Sequence, residues 1–202
     1  MNLSAKSRSW IVLALIVLVI VIDQVIKILV KTNMSLGESI PVFGDWFEIS
    51  FVENNGMAFG MQFLGKTFLT LFRICAIGFL IWLLRKMLKS GKYPFGFIVC
   101  VALILSGAAG NLIDCLFYGE IFTSSNGQVA ELVSYGDGYS SFMHGRVVDM
   151  FHFPLFTWPD WLPLVGGDIF FAPVFNFADA CISCSVVALL IFYRDIIFKV
   201  EE

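Results

Sequence analysis

Apolar positions in this chain come in long blocks, not in the alternating or one-faced patterns of a water-exposed fold. A helix needs about 20 apolar residues to cross a bilayer core. Four blocks meet or approach that length and predict membrane-spanning helices over about residues 10–30, 67–84, 93–112 and 174–193. Asp23 and Lys27 interrupt the first block and Arg73 the second. Lys6 and Arg8 ahead of the first block give it the look of a secretory leader. No small-x-small cleavage site follows, and three further spans argue that the segment is retained. One connection between blocks is tight, and two are long, 31–65 and 119–172. In the first long connection, the alternation from Trp46 to Phe51 predicts a strand, running into the turn signal Glu53-Asn54-Asn55-Gly56. The second combines a polar part, Ser124 to Ser141, with an aromatic part, Phe151 to Trp161, that suits the headgroup layer. Long connections of this kind are more often functional than mere spacers.

Composition narrows the class. Of 202 residues, 58% are hydrophobic and 14% charged, where a soluble domain carries about 25% charged residues. With a mean hydropathy of +0.85, soluble enzymes and disordered chains are excluded. A net charge of −3 leaves no basic field for nucleic acid. The fold class expected is an all-α membrane protein with four transmembrane helices in a single domain, 1–202. Charge placement orients it. Segments 1–9, 84–93 and 193–202 hold eight Lys or Arg against three acids, whereas 31–65 and 119–172 hold two bases, Lys31 and Arg146, against ten acids. Positive residues stay on the cytoplasmic side, so both termini are expected inside and both long loops outside.

Ionisable groups within the spans each need a reason, because one charge at the centre of a helix costs roughly 2.5–3.5 kcal/mol on insertion scales. At 1.5 Å of rise per residue, Asp23 stands about 20 Å above the inner face, Asp179 about 21 Å and Asn111 about 27 Å, with Asp114 a turn further. In a core about 30 Å thick all fall in the outer third, as groups converging on one site would. Simpler readings exist for several. Asp23 and Lys27, spaced i,i+4, are placed to neutralise each other as readily as to serve a site. Asn111 and Asn176 suit interhelical hydrogen bonding, Gly107 and Gly110 close packing, and Arg73 snorkelling. Cys181 and Cys184 read as two small apolar residues one turn apart. His144 and His152 are too few for a metal site, so none is expected. Asp179 is different: no base follows it before Arg194. An acid at that depth is expected to be protonated or to share a proton with a second acid. The segment Gly145-Arg146-Val147-Val148-Asp149 is placed to return one from the outer loop. Such a pair supplies an acid and a base for hydrolysis.

Five segments then resemble, in order, the lipoprotein signal peptidases (signal peptidase II). They are Asp23-Gln24-x-x-Lys27, Asn54-Asn55-Gly56-Met57-Ala58-Phe59-Gly60, Ser106-Gly107-Ala108-Ala109-Gly110-Asn111-Leu112-Ile113-Asp114, Gly145-Arg146-Val147-Val148-Asp149 and Phe175-Asn176-Phe177-Ala178-Asp179. The resemblance implies an aspartic endopeptidase that cuts signal peptides from prolipoproteins, N-terminal to a diacylglyceryl-modified cysteine. It further implies a location in the bacterial inner membrane, with the active site on the extracytoplasmic side. Asp149 and Asp179 would form the catalytic dyad. Asp23, Lys27, Asn54, Gly56, Asn111, Asp114, Arg146 and Asn176 would bind substrate or support the site. A small extracytoplasmic β-cradle is implied, with a candidate lid helix in the long outer loop. No cofactor is implied, the partners would be prolipoprotein substrates and membrane lipid, and the chain is expected to be a monomer. The chain departs from the family where Cys115 replaces an Arg after Asp114, and at two insertions, 116–144 and 151–171. Two rivals meet some of the same residues. A cation-coupled transporter would use the intramembrane acids without needing Asp149. A thiol oxidoreductase would rest on Cys181 and Cys184.

Overall fold

A computed structural model describes residues 4–55 and 65–198. The chain divides into two compact units, one formed by residues 1–24, 62–113 and 177–202 and the other by 25–61 and 114–176. Helix α1 (Ala5–Asn33) contributes to both.

The first unit is helical. Beside the N-terminal part of α1 it holds α2 (Lys66–Ser90), α3 (Phe95–Ile113), α5 (Phe177–Phe192) and the short α6 (Arg194–Ile197). Gly91, at φ 65° in the left-handed region, ends α2, a conformation that costs glycine no Cβ clash. The core joins Val12 of α1, Leu84 and Met87 of α2, and Phe97, Ile98, Val101, Ala102 and Leu105 of α3. Large apolar side chains on the other faces stay exposed, including Trp10, Val17, Phe72, Phe79, Trp82, Ile191 and Phe192. In water such a surface would drive association; against lipid it is the surface required. Helices α1 and α2, and α3 with its continuation to Ile121, are long and apolar enough to cross a membrane. The fourth expected span is shorter than its pattern suggested: α5 has 16 residues and starts at Phe177, not near 174. Phe175 is instead paired with Phe151 in a bridge, so backbone hydrogen bonding to a strand overrides the apolar run there.

The second unit is built on a three-stranded antiparallel sheet in the order β1-β2-β3. Its strands are β1 (Ser39–Phe43), β2 (Phe47–Asn54) and β3 (Val147–His152). The predicted strand is β2, extended to Asn54 through the first residues of the expected turn. Val52 faces Asp149 across the ladder and Asn54 faces Val147. After α3 the chain makes a π-helical segment, Asp114–Tyr118, and a single turn, α4 (Gly119–Ile121). A candidate lid helix in 119–172 finds no counterpart beyond that turn. Residues 122–146 form a loop tied by backbone bonds such as Tyr139 N–H to Phe122 O (2.9 Å) and Gly145 N–H to Cys115 O (2.9 Å). The aromatic part carries a two-residue ribbon, β4 (Phe156–Thr157) with β5 (Ile169–Phe170). Its Gly, Pro and β-branched residues favour turns and strands over a helix.

Candidate active site

In the strand unit, β3 delivers Asp149, which is 3% exposed. The chain near residue 175 runs alongside: Phe151 N–H donates to Phe175 O (2.7 Å) and Phe175 N–H returns a bond to Phe151 O (3.1 Å). That pairing sets the next residue beside the strand, and Asn176 Nδ2 donates to Asp149 Oδ1 at 2.6 Å. Side chains alternate along a strand. Val52, Asn54, Val147 and Asp149 therefore share one face of the β2–β3 edge, and Glu53 and Val148 stand on the other.

Behind the strand lies a buried ion pair. Lys27 Nζ is 2.8 Å from Asp114 Oδ2, with both side chains fully buried. Asp114 Oδ2 also accepts from the Val148 backbone N–H at 3.3 Å, so the pair braces the residue next to Asp149. The resemblance segment beginning at Gly145 has a steric reason for its glycine. A Cβ there would collide with Asp114 O and stand 2.9 Å from Gly119 N.

In the helical unit, Asp179 occupies the first turn of α5 and is half-buried. Asn111 Nδ2 of α3 donates to Asp179 Oδ1 at 2.7 Å. Asp23 is 1% exposed, and its Oδ1 accepts the Ala178 N–H at 3.0 Å. It thereby caps one of the N-terminal amides of α5 that have no partner within the helix, where the helix dipole also favours an anion. Gln24 Nε2 donates to Asp23 Oδ2 and to Gly110 O, both at 3.2 Å. A Cβ at Gly110 would lie 2.6 Å from Asp23 Oδ2, and one at Gly107 would collide with Ala178 O. Close approach of α1, α3 and α5 is what both glycines permit.

Each sequence-predicted residue can now be placed. Asp149, Asn176, Asn54, Lys27, Asp114 and Arg146 belong to the strand unit, and Asp179, Asn111 and Asp23 to the helical one. Gly56 lies outside the described residues. Each member of the i,i+4 couple Asp23 and Lys27 has a partner outside α1: the α5 amide for one, Asp114 for the other. Among described residues no group of three His, Cys, Asp or Glu is placed to hold a metal ion.

Sequence reasoning passed over Glu53 and Lys31. Lys31 Nζ pairs with Glu53 Oε1, and Arg146 Nη1 lies 3.0 Å from Glu53 Oε2. Burial opposes ionisation of Glu53, but the hydrogen bond and charge of Lys31, followed by those of Arg146, outweigh it and hold the carboxyl below its ordinary range. Burial pushes the Tyr139 phenol up. The signal was available: the two long loops carry only two bases among ten acids, and both bases meet on one acid.

Helices long and apolar enough to cross a membrane, with bare apolar faces, define a membrane protein. Two solved structures, each described as a bacterial membrane enzyme, share the fold; one, 24% identical, has a TM-score of 0.62 and covers 93% of this chain and 92% of its own. The pattern of the family Signal peptidase (SPase) II matches residues 15–194, and the chain belongs to that family. The lipoprotein signal peptidase of Porphyromonas gingivalis is 53% identical over 195 residues, covering 95% of this chain and 86% of that protein. The lipoprotein signal peptidase of Amoebophilus asiaticus is 37% identical over 196 residues, covering 91% and 78%.

Proposed function

We propose that this signal peptidase is an aspartic endopeptidase in which Asp149 and Asp179 form the catalytic dyad. The observation that carries the reading is a matched pair of contacts. Each acid accepts a hydrogen bond from an asparagine amide, Asn176 to Asp149 at 2.6 Å and Asn111 to Asp179 at 2.7 Å. An amide N–H on one carboxylate oxygen fixes the carboxylate's rotation, as a reacting carboxyl requires. Asn176 and Asp179 are three residues apart in sequence, so the clamp on one acid leads directly into the helix that carries the other.

The mechanism follows from two carboxyls sharing one proton. The ionised acid removes a proton from water as its oxygen attacks the scissile carbonyl carbon. The protonated acid gives its proton to the carbonyl oxygen, producing a tetrahedral gem-diol. On collapse the diol returns a proton, the C–N bond breaks, and the amide nitrogen leaves as an amine after accepting a proton. The shared proton is restored, and no cofactor enters. The substrate is a prolipoprotein cut N-terminal to its diacylglyceryl-modified cysteine. The lipid holds the scissile bond near the outer surface of the bacterial inner membrane, and acyl-chain contacts supply binding energy away from the reacting bond. Asp23, Lys27 and Asp114 support the site, Asn54 lines it, and the chain works as a monomer. In this reading α5 is the fourth span, rising about 24 Å with both termini cytoplasmic.

The test is cleavage of a diacylglyceryl-modified prolipoprotein by the purified protein in detergent. Controls are unlipidated substrate and the Asp149→Asn and Asp179→Asn variants. Cleavage of lipidated substrate alone, with both variants at least about 10³-fold slower, is the expected result. An active Asp149→Asn variant would remove the dyad and bring the transporter reading forward.

A further inference from the structure

Three charged side chains of the strand unit meet at Glu53. Its two oxygens are taken by Lys31 and Arg146, and the Glu53 and Lys31 side chains are 2% and 0% exposed against 36% for Arg146. Lys31 Nζ also donates to Ser125 Oγ at 2.9 Å. Its ammonium lies 5.8, 5.5 and 5.0 Å from the ring centroids of Phe51, Phe122 and Tyr139. Tyr139 holds the third member as well: its hydroxyl oxygen accepts the Arg146 N–H at 2.6 Å, and the guanidinium lies 5.4 Å from its ring centroid. Insertion 116–144 therefore wraps an ion triad whose Lys31 and Glu53 are buried and whose Arg146 is partly exposed. With one acid and two bases, the triad carries one surplus positive charge.

Strand alternation fixes where that charge acts. Glu53 is paired with Val148, and Asp149 with Val52, so the triad stands on the face of the β2–β3 edge opposite to Asp149. Within this unit Asn176 donates to Asp149, the Lys27–Asp114 pair braces Val148, and His152 pairs with Glu48 further along the strand; in the dyad reading Asp179 is the acid that shares its proton. Within this unit the triad is the nearby cluster whose positive charges outnumber its negative ones.

We propose that Arg146 is a positioning residue for the reaction at Asp149: with Lys31 it locks Glu53 on the rear of the β2–β3 edge, and the triad's surplus charge favours ionised Asp149. The inference rests on the reading of Asp149 as catalytic. It assigns Arg146 a role through the sheet and not as a cation gripping substrate, and it makes the insertion a brace.

The experiment measures pH–rate profiles and thermal unfolding for full-length wild type, R146Q, R146K, Y139F and D149N on diacylglyceryl-modified prolipoprotein in detergent. R146Q takes the triad from +1 to neutral. We expect kcat about tenfold lower with KM nearly unchanged, and an acidic limb moved up by roughly half a pH unit. R146K, which keeps the charge, returns the limb to its wild-type position. Y139F removes the bond to the Arg146 backbone but no charge, so kcat falls severalfold while the limb stays. A folded R146Q protein with an unmoved limb overturns the proposal, as does a rise in KM alone, which would place Arg146 on the substrate. Should R146Q fail to fold, a limb that moves in Y139F overturns it equally. An active D149N protein would strike the dyad reading instead, an outcome distinct from inactive D149N beside an unmoved R146Q limb.

Discussion

The two units hold their polar residues in place by different means. In the helical unit the work is done by shape: Gly107 and Gly110 remove side chains so that α3 can meet Ala178 and Asp23 closely. Asp23 there accepts from the Ala178 backbone amide and from Gln24, and Asp179 accepts from Asn111. In the strand unit it is done by charge, through Lys27 with Asp114 and Lys31 with Glu53 and Arg146. The difference follows from the surroundings each unit must satisfy. Helices complete their own backbone hydrogen bonds and can turn bare apolar faces to lipid. A three-stranded sheet with a long loop leaves backbone and register to be secured by side chains. Packing should therefore be the weak point of one unit and buried ion pairs that of the other.

The largest effect is expected at Lys27. Lys27→Met leaves Asp114 buried without its cation, and breaking such a pair costs about 3–5 kcal/mol. Thermal unfolding in detergent should show that loss, and adding Asp114→Leu should recover much of it, since the uncompensated charge is then gone. A Lys27→Met protein as stable as wild type would break the comparison, because the strand unit would not depend on its ions.

Next comes Gly110→Ala in the helical unit. The new Cβ would stand 2.6 Å from Asp23 Oδ2 and 3.5 Å from Ala178 Cβ, so Asp23 must move off the amide it caps. Overpacking of this kind costs about 1–3 kcal/mol, again read by unfolding. A loss larger than that of Lys27→Met would reverse the ranking of the two units.

The sequence made this contrast half visible. Long apolar blocks located α1, α2 and α3, because a span needs only length and hydropathy. The ordered segments marked Asp149, Asp179 and their asparagines, but not which asparagine holds which acid. That depends on the Phe151–Phe175 bridge, a long-range pairing with no local signature. The start of α5 was misplaced for the same reason. Asp23 and Lys27 left a partnership along one helix open beside a role at the site, because spacing is all that a sequence displays; the Ala178 amide and Asp114, which they meet, lie far away in the chain. The insertion 116–144 read as a polar loop because its packing on Lys31 uses scattered aromatics, Phe122 and Tyr139, without periodicity.

The smallest effect is a pH dependence confined to the strand unit. Lys31 and Arg146 hold the Glu53 carboxyl below its ordinary value of 4.5 in the folded chain. A depressed folded pKa means that the unfolded chain binds the proton more readily. The stability it contributes is thus fully present above the unfolded value and is lost as pH falls through the folded one. Glu53→Gln has no such contribution to lose. The gap in unfolding temperature between wild type and Glu53→Gln should be constant from pH 7 to about pH 5.5 and narrow by a few degrees on further acidification. Every other acid is common to both proteins, so its contribution cancels in the difference. A gap that widens in acid would mean that Glu53 is protonated more readily in the folded chain than out of it. Burial would then outweigh its two cations, and the strand unit would be held by packing after all.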